Sequence, residues 1–144
     1  MKVYKYSPIQ YFASSIGPVI LMIIILIYTI FIQIQTPIKG LNNTIIFIVS
    51  LLLLSELGAL NQPQKITDDD QFLTFYGIGR KHIYKWSNIK SLKIKIFPLG
   101  NRLLIRIDNY GFSKGMYWID KKMMNSIELI NKLKEFEMKL IQIK

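Results

Sequence analysis

Between Lys5 and Lys39 the chain runs for 33 residues without a formally charged side chain. The centre of that stretch, Ile16 to Ile32, is almost entirely Ile, Leu, Val, Met and Phe, with Gly17-Pro18 near its start. A second apolar run, Leu41 to Leu60, carries Asn42, Asn43 and Thr44 at one end and the single charge of Glu56 near the other. Each run holds twelve Leu, Ile, Phe or Val residues, worth about −4 to −7 kcal/mol of membrane-insertion free energy per segment. A helix apolar on all sides needs either lipid or a large protein core around it, and a chain of 144 residues has too little mass to wrap two. The spacing therefore predicts a transmembrane helical hairpin over residues 11–60, with spans over about 12–34 and 41–60. Thr36-Pro37, Lys39-Gly40 and Asn42-Asn43 supply the turn chemistry between them. Gln33 to Pro37 offers no small-x-small cleavage pattern, so the first span is expected to stay as an anchor.

Charge sets the expected orientation. The chain has 19 Lys plus Arg against 9 Asp plus Glu, a net charge of +10. Lys2 and Lys5 precede the hairpin, Lys65, Arg80, Lys81 and Lys85 follow it, and the loop between the spans has only Lys39. The excess of Lys and Arg on one side predicts both termini in the cytoplasm and a multi-pass protein of the cell membrane. Residues 1–10 are expected to form a cytoplasmic N-terminal tail, with Tyr4, Tyr6 and Tyr11 at the membrane interface, and residues 61–144 a cytoplasmic domain. Ala13/Gly17 and Ser55/Ala59 have the spacing of close helix contacts and leave a homo-oligomer open.

Residues 61–144 contain 16 bases and 8 acids, and their patterning changes to period two. Phe72, Thr74 and Tyr76 alternate with Leu73 and Phe75; Leu92, Ile94 and Ile96 with Lys93 and Lys95; Leu103, Ile105 and Ile107 with Leu104 and Arg106. A further strand is expected from Met116 to Ile119, with Asp120 as the N-cap of a closing amphipathic helix. On that helix Leu129, Ile130, Leu133, Phe136 and Leu140 share a face, opposite the i,i+4 pairs Glu128–Lys132 and Glu135–Lys139. The expected class is α+β, antiparallel strands covered on their apolar face by one C-terminal helix.

Lys65-Ile66-Thr67-Asp68-Asp69, then Phe72 to Gly77, then Ile83-Tyr84-Lys85-Trp86-Ser87-Asn88-Ile89, then two strands and a helix, resemble the pleckstrin-homology-like (PH-like) domain of small bacterial membrane proteins. The resemblance covers about Gln64 to Lys139, and two preceding spans match the family's usual layout. It implies a curved antiparallel sheet or small barrel capped by the helix, a binding or assembly role, and no catalytic residues.

The catalytic and metal readings of individual residues fail on context. Zero Cys removes disulfides, Cys-based zinc sites and a Cys nucleophile, and a lone His removes His clusters. Gly111-Phe112-Ser113-Lys114-Gly115 fits G-x-S-x-G, but a strand follows instead of a helix, and His82 precedes the Ser. Asp68-Asp69-Asp70 reads as a solvated turn and His82 as a surface residue beside Arg80-Lys81. No enzyme activity, cofactor or metal is expected. The basic residues Arg80, Lys81, Lys85, Lys90, Lys93, Lys95, Arg102 and Arg106, interleaved with Trp86, are instead the candidate binding residues. Nucleic acid is one partner for bases beside aromatics, but a domain tethered to a membrane meets anionic headgroups at far higher effective concentration. The same lysines would also serve a half-wet sheet that only needs solubility. The expected function is a non-enzymatic membrane protein whose basic domain binds the anionic inner leaflet or a protein partner as an accessory or assembly module. The alternative is an immunity protein guarding its own membrane against a toxin or bacteriocin.

Overall fold

The computed structural model describes residues 1–35, 40–97, 101–109, 111 and 114–142, with only the backbone described at 41, 42 and 59. The chain is α+β and divides into two compact units. Unit 1 combines Met1–Pro8 with Asn61–Lys144, and unit 2 is Ile9–Leu60.

Helical structure in unit 2 follows from its uninterrupted apolar sequence. Pro8–Tyr11 (α1), a π-helical turn over Phe12–Ile16, and Gly17–Gln35 (α2) run on as one helix of 28 residues. The π turn sits just ahead of Pro18, which has no N–H to donate and crowds the preceding turn. Gly17 donates its N–H to the Phe12 carbonyl, and a Cβ there would lie 3.1 Å from that same oxygen. A side chain at this position would press on the turn that the π-helical hydrogen bond closes. Leu41–Leu57 (α3) returns against α2 and tightens into a 3₁₀ turn over Gly58–Asn61. Among the described residues one helix, Pro8–Gln35, is long and apolar enough to cross a membrane, and the apolar part of α3, Asn43–Leu57, is shorter.

Unit 1 holds two antiparallel sheets. Lys2–Lys5 (β1), Lys65–Asp68 (β2), Phe72–Gly77 (β3) and Arg80–Lys85 (β4) pair in chain order in the first; Leu92–Phe97 (β5), Arg102–Ile107 (β6) and Met116–Asp120 (β7) do so in the second. Among the described residues no closed barrel forms, because these are separately hydrogen-bonded sheets of four and three strands. Side chains paired across a ladder point to one face, and the inward rows are the core: Tyr4, Ile66 and Phe75 in the first sheet, Leu103, Ile105, Ile107 and Ile119 in the second, all at 1% exposure or less. Ser126–Gln142 (α4) adds Leu129, Ile130 and Leu133 to the buried set. Full burial of each such side chain contributes about 1.5–3 kcal/mol.

Several sequence expectations change here. Residues 1–10 are not simply a tail: Lys2, Val3, Tyr4 and Lys5 pair with Asp68, Thr67, Ile66 and Lys65. Tyr4 and Tyr6 are core residues at 1% and 4% exposure, so they are unavailable to an interfacial belt. The closing helix starts at Ser126 instead of directly after Asp120, whose carboxylate caps the intervening turn at Lys122 N–H, 2.9 Å away. Asn125, at φ +58°, makes the entry into the helix. Of the two expected i,i+4 pairs, Glu135–Lys139 forms at 2.9 Å, whereas Glu128 binds Lys2 and Lys132 binds Asp68 and Asp70.

Candidate functional site

The nine candidate binding residues do not form one surface. Arg80, Lys81 and Lys85 lie exposed on β4, the edge strand of the first sheet. Lys90, Lys93, Lys95 and Arg106 belong to the second sheet and its approach, where Lys93 is the register partner of Arg106 and Lys95 of Leu104. Arg102, paired with Phe97 and Asp120, continues that outward face. Trp86 is buried: its indole N–H donates to Asp68 Oδ1 at 3.1 Å and its ring meets Phe136 edge-on at 4.8 Å. A ring committed in this way packs the helix onto the sheet and does not stack on a ligand.

Lys90, Lys93, Lys95 and Arg106 line a groove of about 370 Å³ between β5 and the C-terminal half of α4. Its apolar floor and wall are Leu92, Ile94, Leu104, Leu140 and Ile141, and Glu137 is the one acidic lining residue. Glu137 Oε1 accepts the Ile94 N–H at 3.3 Å, satisfying a backbone donor on an edge strand that β6 cannot reach. Four cations around an apolar floor suit an acidic ligand with some apolar surface. Beside the groove, on the same face, Phe97 and Trp118 meet at 5.3 Å and the Lys95 ammonium lies 5.0 Å from the Phe97 ring. Sequence reasoning missed Trp118 and Phe97; their outward phase in the alternation of β5 and β7 was the available signal.

The remaining polar clusters are structural ties. Asp68, 2% exposed, is not in a solvated turn: besides Trp86 it accepts Asp70 N–H at 3.1 Å and pairs with Lys132 of α4. Desolvation works to lower the Lys132 pKa, but the carboxylates of Asp68 and Asp70 outweigh it and hold the ammonium above its ordinary value. Asp69 Oδ1 caps the N–H groups of Gln71 and Phe72 at 3.2 and 2.6 Å. His82 is half-buried, with Nδ1 2.7 Å from the Tyr117 hydroxyl, which lies 2.7 Å from that of Tyr84 and accepts Gly115 N–H at 3.3 Å. Burial depresses the His82 pKa, and the charges of Lys114 and Arg80 depress it further; burial pushes the phenols of Tyr84 and Tyr117 up. The network joins β4 to β7 with every member neutral near pH 7. Among the described residues no group of three His, Cys, Asp or Glu is arranged to hold a metal ion. Phe112 and Ser113 of the G-x-S-x-G segment lie outside the described residues.

No protein-family model, curated protein or solved structure matches the chain.

Proposed function

We propose that the chain is a non-enzymatic, two-span protein of the cell membrane, with unit 1 as a cytoplasmic PH-like module. In this reading the module engages acidic groups, on the inner leaflet or on a protein partner, in an accessory or assembly role. The observation that carries the reading is the β1–β2 ladder. Because a strand before the helical insertion pairs with one after it, both ends of unit 2 must emerge on the same side of any bilayer. The insertion then crosses an even number of times. With Pro8–Gln35 long and apolar enough for one crossing, the return falls to α3 and its 3₁₀ extension. Seventeen α-helical residues and the three 3₁₀ residues that belong to unit 2 reach ~32 Å, against a hydrocarbon core of about 30 Å. Glu56 falls near the end of that crossing, where its carboxylate can reach headgroups.

Charge favours unit 1 in the cytoplasm. Lys2 and Lys5 join the 16 bases and 8 acids of residues 61–144 to give unit 1 the whole net charge of +10, while Lys39 and Glu56 cancel within unit 2. Four strands, then three, then a C-terminal helix support the PH-like reading, and the cationic groove at β5 supports a binding role.

The chain has no Cys, so single introduced cysteines report topology without background. A membrane-impermeant maleimide added to intact cells is expected to label Lys39→Cys, and to label Asn109→Cys only after permeabilisation. Equal access to both positions from one side would overturn the two-span reading.

A further inference from the structure

On the two-span reading, we propose that one row of the first sheet, Lys5, Lys65, Tyr76 and Lys81, is the surface of unit 1 that meets anionic phospholipid headgroups. Only Lys81 of these four stands out in the sequence as part of a basic cluster; the register unites them. Lys5 pairs with Lys65, Lys65 with Tyr76, and Tyr76 with Lys81, so the row crosses all four strands. At about 4.8 Å between strands it is roughly 14 Å wide. The neighbouring row, Tyr4, Ile66, Phe75 and His82, turns inward, and the period of two directs the proposed row outward.

The row has the chemistry of a headgroup contact. The Lys65 and Lys81 ammoniums lie 5.2 and 5.5 Å from the centre of the Tyr76 ring, one contributed by each flanking strand. A ring with cations beside it combines the amphipathic aromatic favoured at membrane interfaces with lysines that extend to phosphate oxygens. Among the described residues none of Lys5, Lys65 and Lys81 has a carboxylate partner, unlike Lys2, Lys132 and Lys139. The tight turn after Tyr76 adds Ile78, 49% exposed, ahead of Gly79 at φ +63°.

Chain connectivity keeps the row close to the point where the polypeptide leaves and re-enters unit 1. Pro8 lies three positions beyond Lys5, and Lys65 four positions beyond Asn61, reaches of at most about 11 and 14 Å. Arg80, next to Lys81, donates from Nη1 to Asn61 Oδ1 at 3.4 Å, which ties the start of β4 to the re-entry residue itself. If unit 2 spans the bilayer, these short connectors hold this end of the sheet within reach of the headgroup layer, where the charge of the lipid decides whether it docks. The occupant is therefore the lipid of the bilayer that holds the hairpin.

The test uses the full chain in nanodiscs, with a fluorophore on Ile78→Cys and a headgroup spin-labelled lipid as quencher. Quenching is expected to be strong when phosphatidylglycerol is present and weak in phosphatidylcholine alone. Each neutralised lysine should lower the docking constant roughly five-fold, so Lys5→Gln/Lys65→Gln/Lys81→Gln abolishes the difference between the lipids. The corresponding triple Arg variant keeps it, which separates lost charge from lost folding. Lys121→Gln/Lys122→Gln removes two exposed charges elsewhere on unit 1 and should leave the quenching intact. Equal quenching in both lipids, or an equal loss from the Lys121/Lys122 variant, would overturn the proposal; a row used for an acidic protein instead would give the former result. The Lys39→Cys labelling reads the two-span topology independently, so failure of the row and failure of the hairpin are distinguishable.

Discussion

Lys5 and Lys65 face each other across the β1–β2 ladder although the whole of unit 2 lies between them in the chain. One position further on, Tyr6 N–H donates to the Gln64 carbonyl at 3.2 Å, so the ladder continues toward the hairpin. The helical unit is an insertion in a β-hairpin, and the domain it interrupts is discontinuous in sequence.

A domain built in this way should close without its insertion. Joining Met1–Ser7 to Asn61–Lys144 through a short Asn-Gly linker, a pair that favours tight hairpins, is expected to give a soluble protein with a single sigmoidal urea transition. Asn61–Lys144 alone leaves Ile66 and Phe75 without Tyr4 and should unfold at markedly lower urea. Equal midpoints for the two proteins would mean that β1 contributes nothing to the fold.

Tyr4 separates shape from hydrogen bonding. Its ring is 1% exposed, and its hydroxyl is buried without a hydrogen-bond partner among the described residues. Tyr4→Ala should cost about 3–5 kcal/mol, as other large aromatic truncations do. Tyr4→Phe removes only an unsatisfied polar atom and should be neutral or stabilising. Thermal unfolding of the detergent-solubilised chain distinguishes the two variants.

The Lys132 ion pairs predict unequal effects. Asp70 is exposed, and Asp70→Asn should leave the urea midpoint nearly unchanged. Lys132→Met leaves the buried Asp68 carboxylate without its cation and should cost about 3 kcal/mol. Urea midpoints at neutral pH measure both.

Stability should fall in alkali. The Lys132 pKa is raised in the folded state, so its contribution is complete below the ordinary 10.5 and is lost as pH climbs through the raised value. Tyr6 acts in the same direction: burial pushes its phenol from 10.0 up to about 12, so folding is progressively disfavoured across that interval. Melting temperature should therefore be level through neutral pH and drop between pH 10 and 12. In Tyr6→Phe the drop should be shallower, at the expense of hydrogen bonds that tie the hydroxyl to the Asp120 backbone. An unchanged alkaline slope in that variant would remove Tyr6 from the explanation.

What the sequence made legible were features whose partners are local or whose periodicity is long. The uncharged run after Lys5 announces a long helix, the alternation at Leu103, Ile105 and Ile107 announces a strand, and the spacing of Leu129, Ile130 and Leu133 marks the buried side of α4. β1 was hidden because Lys2-Val3-Tyr4-Lys5 is four residues of alternating character with lysines at both ends, and its partner strand lies beyond the insertion. Trp86 looked like a stacking residue because its neighbours in sequence are basic; its neighbours in space, Asp68 and Phe136, come from β2 and α4. The groove was half legible. Lys93 and Lys95 could be placed on a wet face, but Glu137, Leu140 and Ile141 enter only when α4 folds back on β5.

The split ladder also imposes an order of events during synthesis. β1 is made before the hairpin and β2 after it, so at about 5–20 residues per second the first strand waits on the order of several seconds for its partner. During that wait Tyr4 and Tyr6 have no core to enter. In a two-span protein, helices that enter the bilayer wrongly would leave the two strands on opposite sides of it, and the sheet would keep the open edge that quality-control proteases and aggregation exploit. On the proposed two-span reading, correct insertion is thus a condition of folding, and a completed sheet certifies the insertion that preceded it.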